Sequence, residues 1–215
     1  MEITIVVLAK SKTPQGYNII GINLAINQLV RLVSDEDTPL NFEDIFYPNE
    51  IPTEKFDVVQ IEITENQDLW YQPENLVVDT EYYFLYVRQA TWNDIMYALH
   101  APDFILNNIS CKLSKNDIQN WNGNKSIELI LASEVNLKMD NIKLSCNIKY
   151  NEHWYNNLSL TDDKLIKYYV DVLLERENVT LENVLVVVGL EGGEDGSFYK
   201  VVDNIIHIPT TKISY

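Results

Sequence analysis

The segment "TDDKLIKYYVDVLLERE" (residues 161–177) has the strongest helical pattern in the chain. Thr161 stands where an N-cap residue is expected, and the two acids after it lie in the first turn, where the helix dipole favours negative charge. The apolar residues share one face of the helix: Leu165, Ile166, Tyr169, Val170, Leu173 and Leu174. The spacing therefore predicts one amphipathic helix over about residues 162–174.

Strand-like segments flank this helix on both sides. Three precede it ("SIELILASEVNL", "NIKLSCNIKY", "HWYNNLSLT") and two follow it ("NVLVVVGL", "FYKVVDNIIHI"). The short turn "KMD" separates the first two. Three strands, a helix and two strands within about 90 residues is the order of a five-stranded Greek-key barrel of the oligonucleotide/oligosaccharide-binding (OB) type, with the helix plugging the barrel.

The first half of the chain repeats the strand pattern. Its strand-like segments are "ITIVVLA", "YNIIGI", "QLVRLVS", "DVVQIEIT" and "EYYFLYVRQA". "NLAIN" joins the second and third as a hairpin, and the acid- and proline-rich residues 35–56 form a long loop. Thr91 and Asp94 have the spacing of a capping box, which predicts a helix over residues 91–100. Two barrels in tandem are the simplest account of the whole pattern.

The predicted fold class is therefore mainly β, with two tandem five-stranded OB-type Greek-key barrels and one or two short helices. Residues 102–124 are polar and rich in asparagine, as is typical of a domain boundary. We predict a first barrel over residues 1–112, including the helix at 91–100, and a second over residues 113–215, including the helix at about 162–174.

Composition and charge restrict the class of protein. A chain of 215 residues, 46% of them hydrophobic, can bury a substantial core. No apolar run approaches the roughly 18 residues of a membrane span, and "MEITIVVLAK" carries an acid where a signal peptide would be positive. A soluble cytoplasmic protein is expected. Cys111 and Cys146 have no metal-site spacing, which favours buried free thiols over zinc or a disulfide.

The net charge of −16 is distributed unevenly. Residues 1–106 contain five basic and 17 acidic residues, and residues 107–215 contain 11 basic and 15 acidic residues. A protein that binds phosphates must concentrate positive charge on some surface. A nucleic-acid surface is therefore expected in the second half, or in a narrow basic groove within an acidic shell.

The order of several short motifs resembles a known family, the bacterial dual OB-fold-containing domain. The motifs are "VVLAKSKTPQGYNIIGI", "QLVRLVS", "DVVQIEI", "YQPEN", "LSLTDDKL" and "SFYKVVDNII", and they cover both halves of the chain. The chain departs from the family pattern before the third strand, where Asn27, Gln28 and Leu29 stand in place of a Gly or Trp. The resemblance implies two barrels and, by analogy only, a ligand class.

Candidate ligand-binding residues in the first half centre on Arg31. Its neighbours at 29, 30, 32 and 33 are apolar, so it belongs to a strand, on the face opposite Val30 and Leu32. It is either paired with an acid, in "SDED" or across the sheet, or it contacts an anion together with Lys10 and Tyr17. In "YQPEN", Gln72 and Asn75 either contact a base edge or close a loop.

The second half offers Lys149 and Trp154, close together in "KYNEHW". An exposed aromatic beside a lysine can stack a single-stranded base, although Trp is also an ordinary core residue. His100, His153 and His207 are far apart, and no nucleophile signature or phosphate loop is present. We therefore expect no catalytic residues, no metal and no cofactor, since an active site would need distant acids such as Asp162, Asp163 and Glu191 to come together.

Two functional hypotheses follow. The first is a non-catalytic binding module for single-stranded nucleic acid, or an accessory to a nucleic-acid-processing or defence system. The alternative is an acidic protein–protein adaptor, or a nucleic-acid mimic, that binds a basic partner. Fold analogy favours the first and charge favours the second; neither involves a membrane.

Overall fold

The computed structural model describes residues 1–35, 38–66, 70–119, 125–140 and 143–209. The strands of the first half are β1 (Glu2–Thr13), β2 (Gly16–Asn23), β3 (Gln28–Val33), β4 (Asp57–Asn66), β5 (Asn75–Val78) and β6 (Leu85–Gln89). The first five close into a barrel in the order β1-β2-β3-β5-β4, with β4 paired back to β1. Among the described strands of this barrel, only β3 and β5 pair in parallel. The predicted OB-type barrel is confirmed.

The fifth strand of this barrel differs from the predicted one. It is the four-residue β5, whereas "EYYFLYVRQA" supplies β6, which pairs with β4 outside the closed ring. The described part of the loop between β3 and β4 contains a 3₁₀ turn at Glu43–Ile45 and no α-helix. The predicted helix at 91–100 is shorter in the structure: α1 spans Trp92–Met96, and Thr91 and Asp94 form the expected capping box.

The second half forms another barrel. Its elements are β7 (Lys112–Leu113), α2 (Lys115–Gln119), β8 (Ile127–Asp140), β9 (Lys143–Tyr150), β10 (His153–Leu160), α3 (Asp163–Leu173), β11 (Asn178–Gly192) and β12 (Phe198–Ile206). The closed order is β10-β9-β8-β11-β12, with β12 parallel to β10, and β7 is appended to β12. The predicted second barrel is confirmed. The boundary after residue 112 stays a prediction; it falls within β7.

Two local predictions in this half were wrong. "KMD" (residues 138–140) belongs to β8 and is not a turn, and residues 141 and 142 lie outside the described residues. The N-cap of α3 is Asp162, whose side chain accepts from the amide of Leu165 at 2.9 Å. Thr161 instead donates from Oγ1 to Asp203 Oδ1 at 2.8 Å. The helix packs against the interior of the barrel as expected, with Tyr169 and Leu173 buried.

The two barrels share a continuous apolar interface. It contains, from the first barrel, Val6, Leu8, Ala9, Ile20, Ile22, Leu29 and Val58 and, from the second, Ile127, Leu129, Leu185, Val187 and Ile206. Each fully buried Val, Leu or Ile side chain contributes about 1.5–3 kcal/mol, so the eleven named here stabilise the contact between the barrels strongly. Asn204 adds a buried hydrogen bond from Nδ2 to the carbonyl of Leu8, at 2.7 Å.

This packing covers the outer face of β1, β2 and β3 in the first barrel and leaves the outer face of β9 and β10 in the second barrel open. No helix among the described residues has the length and apolarity needed to cross a membrane.

Candidate functional site

The open face of the second barrel is formed by β9 and β10, its second and third strands. In OB-type barrels this pair of strands, with the adjoining loops, forms the usual ligand surface. Trp154 on β10 lies directly opposite Lys149 on β9, and Lys149 lies opposite Glu134 on β8. An aromatic ring, a cation and a carboxylate therefore stand in one row across three strands.

Strand alternation explains why these side chains point outward. On β9 the residues that alternate with Lys149 are buried inside the barrel: Leu144, Cys146, Ile148 and Tyr150. On β10, Tyr155 is fully buried, and its neighbour Trp154 therefore lies on the outer face with 40% of its surface exposed. The side chain of Lys149 is 30% exposed.

Polar side chains surround this row of residues, and hydrogen bonds within the protein hold them in place. Asn147 Oδ1 accepts from the amide of Asn157 at 2.9 Å, and Ser145 Oγ lies 3.2 Å from Asn157 Oδ1. Asn136 Oδ1 accepts from Thr180 Oγ1 at 2.7 Å. Next to them is a small pocket of about 120 Å³, lined by Lys143, Leu144, Ser145, Asn157 and Leu158. The face therefore offers amide and hydroxyl groups that can donate or accept.

Charge on this face is mixed. The register places Lys138 and Lys143 on the same side as Lys149, which gives three lysines on two adjacent strands. Glu134 opposes Lys149, and Glu152 lies 3.3 Å from its Nζ. The register also places Asp140 opposite Lys143, whereas Lys138 lies between Ser145 of β9 and Asn178 of β11, so an acid lies opposite two of the three lysines.

The corresponding face of the first barrel is not available, and Arg31 is buried in it. Arg31 is 5% exposed, and its Nε and Nη2 find no hydrogen-bond partner in the described part of the chain. Three acids from both barrels surround it, of which Asp203 is buried and Glu74 and Glu191 are partly buried. Burial raises the pKa of Asp203 to about 7 and raises the pKa of Glu74 and Glu191, and the charge of Arg31 opposes each increase.

Arg31 therefore lies in an acidic cluster between the barrels. Of the acids proposed in "SDED" as its partners, Glu36 and Asp37 lie outside the described residues. A ligand contact by Arg31 stays a prediction. The acids that surround it come from β12, the end of β11 and the β4–β5 connection, and no local pattern links them to β3.

Lys10 and Tyr17 are close to each other and lie on another face. Arg31 is opposite Ile20 and Lys10 is opposite Ile19, so the two cations point to opposite sides of the sheet. Lys10 Nζ donates to the carbonyl of Thr53 at 2.5 Å and lies 5.4 Å from the centre of the Tyr17 ring.

A pocket of about 190 Å³ between the barrels contains this pair. Its other lining residues are Lys12, Glu54, Lys55, Asp162, Asp163 and Lys164. Acids neutralise two of the lysines, because Lys55 pairs with Asp162 at 2.6 Å and Lys164 pairs with Glu54 at 2.8 Å. Both ion pairs join the first barrel to the second, so the pocket belongs to the polar contact between the barrels.

Gln72 and Asn75 are also buried between the barrels. Gln72 Nε2 donates to the carbonyl of Leu190 at 3.2 Å, and Asn75 Nδ2 donates to Gln72 Oε1 at 3.3 Å. The structure thus brings Lys149 and Trp154 together on an open face, whereas Gln72, Asn75 and Arg31 contribute to barrel packing. Sequence alone did not single out Asn147 and Asn157. A period-two reading of β9 would have found Asn147.

No cluster of three or more histidine, cysteine or acidic side chains with metal-binding geometry occurs among the described residues. Comparison with known proteins gives one clear result. Residues 3–205 match the sequence pattern of a family described as "Dual OB-containing domain". No curated protein matches the chain significantly. A solved structure described as "Structural mimicry for functional antagonism" is 12% identical, over 94% of this chain and 87% of that one, with a TM-score of 0.32, a likeness too weak to indicate a shared function.

Proposed function

Because the chain belongs to the dual OB-containing domain family, we propose that it is a non-catalytic binding module and that it binds single-stranded nucleic acid on the outer face of β9 and β10. The observation that carries the proposal is the pair Lys149 and Trp154. They lie directly opposite each other on the strand pair that OB-type barrels use for ligands, and Trp154 is 40% exposed.

Each part of this face has a role that matches the chemistry of a single strand. A base stacks on the indole of Trp154, which contributes about 1–3 kcal/mol and tolerates any base. Lys138, Lys143 and Lys149 contact successive phosphates. The amides of Asn147 and Asn157 hydrogen-bond to base edges, which gives a modest sequence preference. The proposal gives these groups a role in binding the strand and none in cleaving it.

The overall charge determines how strong this binding is. A net charge of −16 repels a polyanion at long range, and only the three lysines on this face favour contact. The chain alone therefore binds weakly. It functions as an accessory to a nucleic-acid-processing or defence enzyme, because tethering to a protein already on the strand raises the effective concentration.

Fluorescence anisotropy with a labelled thymidine oligonucleotide at low salt tests the proposal. We expect saturable binding, and Trp154→Ala weakens it about tenfold or more, as loss of one stacked base requires. Tyr97→Ala is the matched control, because Tyr97 is 71% exposed but lies after α1 on the first barrel. Absence of binding below about 100 μM, weaker than ordinary non-specific affinities, would overturn the proposal. Equal losses in the two variants would do the same.

A further inference from the structure

The strand β6 is an open edge of the first barrel. Among the described residues it pairs only with β4, and the other edge of its backbone has no strand beside it. All five of its residues are exposed, including three apolar ones: Leu85, Tyr86 and Val87 are 47%, 50% and 50% exposed. Natural proteins protect such an edge with charge, proline or a covering element. An apolar edge left open is therefore a place where another chain can add a strand.

A groove next to β6 has an apolar floor and an acidic rim. Its volume is about 280 Å³, and its lining residues are Glu2, Pro48, Gln60, Ile61, Glu62, Glu81, Tyr82, Tyr83 and Leu85. The rings of Tyr82 and Tyr83 are more than half exposed. No lysine or arginine lines the groove. The one arginine of β6, Arg88, donates two hydrogen bonds to Asp94 at 2.7 and 3.0 Å and is not available to neutralise the rim.

The acids of the rim repel one another. Glu2 on β1 lies directly opposite Glu62 on β4, and like charges in this position destabilise a sheet. The amino group of Met1 lies 3.2 Å from Glu62. Glu2 and Glu81 have no ion pair in the described part of the chain, so a cation supplied by a partner would relieve the repulsion.

We propose that β6 and its groove bind an extended basic peptide segment of another protein, which adds a strand to the open edge. Every second side chain of the added strand lies on the outer face of the sheet, the face on which Gln60 and Leu85 line the groove. Lysines at those positions place their aliphatic stems on Tyr82, Tyr83 and Leu85 and their ammonium groups on the acidic rim. Backbone hydrogen bonds to β6 supply affinity, and the rim supplies the preference for positive charge.

Charge also favours this occupant over a second copy of the chain. Pairing of two β6 edges would bring two sets of Glu62 and Glu81 together, and the first 106 residues have 12 more acids than bases. Like charges brought together disfavour self-association and attract a basic partner. The surface lies on the first barrel, apart from Trp154 on the second, so the two proposals can fail independently.

The probe is a labelled peptide of about seven residues, a usual strand length, with alternating lysine and threonine. We expect it to bind, and a glutamate–threonine peptide of the same length not to bind. N-methylation of alternate amides on one edge of the peptide should abolish binding, and the same modification on the other edge should leave it unchanged. That asymmetry is specific to strand addition. Equal effects of the two modifications would overturn the proposal.

Variants of the protein locate the site. Glu81→Gln should weaken peptide binding about twofold to fivefold, as for one exposed charge pair, and the loss should shrink in high salt. Leu85→Ser should weaken it further; because Leu85 is half-exposed the variant should fold, which circular dichroism checks. Glu134→Gln, on the second barrel, and Trp154→Ala should bind the peptide like the wild type. Unchanged peptide binding by both Glu81→Gln and Leu85→Ser would refute the assignment. A wild-type protein that forms dimers, with Leu85→Ser a monomer, would also refute it, because a second copy would then occupy the edge.

Discussion

Lys55 of the first barrel donates from Nζ to Asp162 Oδ2 of the second barrel at 2.6 Å, and the carboxylate is 2% exposed. The other oxygen of Asp162 caps α3 by accepting from the amide of Leu165 at 2.9 Å. One side chain therefore both starts the helix that packs against the second barrel and joins that barrel to the first. The residue at which α3 begins therefore depends on how the two barrels pack.

The first prediction concerns that double role. Asp162→Ala removes the cap, worth about 1 kcal/mol, and leaves the largely buried ammonium of Lys55 without its carboxylate. We expect the free energy of unfolding to fall by about 2–4 kcal/mol in urea denaturation. Asp162→Asn should lose roughly half as much, because asparagine still caps a helix. Asp163→Ala, at the next position, is the control and should change stability by less than about 0.5 kcal/mol.

The second prediction concerns pH. Burial raises the pKa of Asp203 to about 7, so the folded protein holds this proton more tightly than the unfolded chain, where the pKa is about 3.9. The resulting stabilisation is complete below pH 4 and is lost as the pH rises toward 7. Asp203→Asn cannot ionise. The free energy of unfolding of this variant, relative to that of the wild type, should therefore rise by on the order of 2 kcal/mol between pH 5 and pH 8.

Urea denaturation at the two pH values measures this difference directly. Comparison with the wild type at each pH cancels contributions from other groups that titrate, such as Glu128, whose pKa burial also raises to about 7, and His100, whose pKa burial lowers to about 4. A stability difference between Asp203→Asn and the wild type that does not change with pH would show that Asp203 stays ionised in the folded protein.

Arg31 is the subject of the third prediction. If its role is to balance the charge of Glu74, Glu191 and Asp203, then Arg31→Met should destabilise the protein most when those acids are ionised. We expect a loss on the order of 3 kcal/mol at pH 8, as for a broken buried ion pair, and a clearly smaller loss at pH 5. Equal stability of the variant and the wild type at both pH values would point instead to a ligand role for Arg31.

Features of this fold that depend on residues close in the sequence can be predicted from it, whereas features that depend on contacts between distant residues cannot. The capping box of α1 and the amphipathic face of α3 involve residues three or four apart, and both were predicted. The apolar segment from Ile3 to Ala9 indicated a strand, and its residues Ile5 to Leu8 are fully buried because both faces of the strand are covered. What covers the second face is the other barrel, and no local pattern shows that.

The errors have the same physical origin. Asp162 and Thr161 are both good N-caps, and the choice depends on the distant partners Lys55 and Asp203. The four-residue β5 is too short to show a clear alternation of apolar and polar residues. The longer "EYYFLYVRQA" was therefore predicted as the fifth strand. At the candidate site, Lys149 and Trp154 were singled out because they are close in sequence, and the turn at Asn151 and Glu152 places them opposite each other. The sequence marked Arg31 as a candidate because it is a cation among apolar residues of a strand. Whether its side chain is exposed depends on how the two barrels pack against each other.

The last prediction concerns the salt dependence of nucleic-acid binding. Each lysine that contacts a phosphate releases a counterion, so the slope of log K against log salt concentration falls by about 0.7 for each contact on a single strand. Lys143→Gln and Lys149→Gln should each reduce that slope by about this amount and weaken binding of all sequences uniformly. Lys167→Gln, on the exposed face of α3, is the matched control and should leave the slope unchanged. If the slope is the same in all three variants and in the wild type, the strand does not lie along β9.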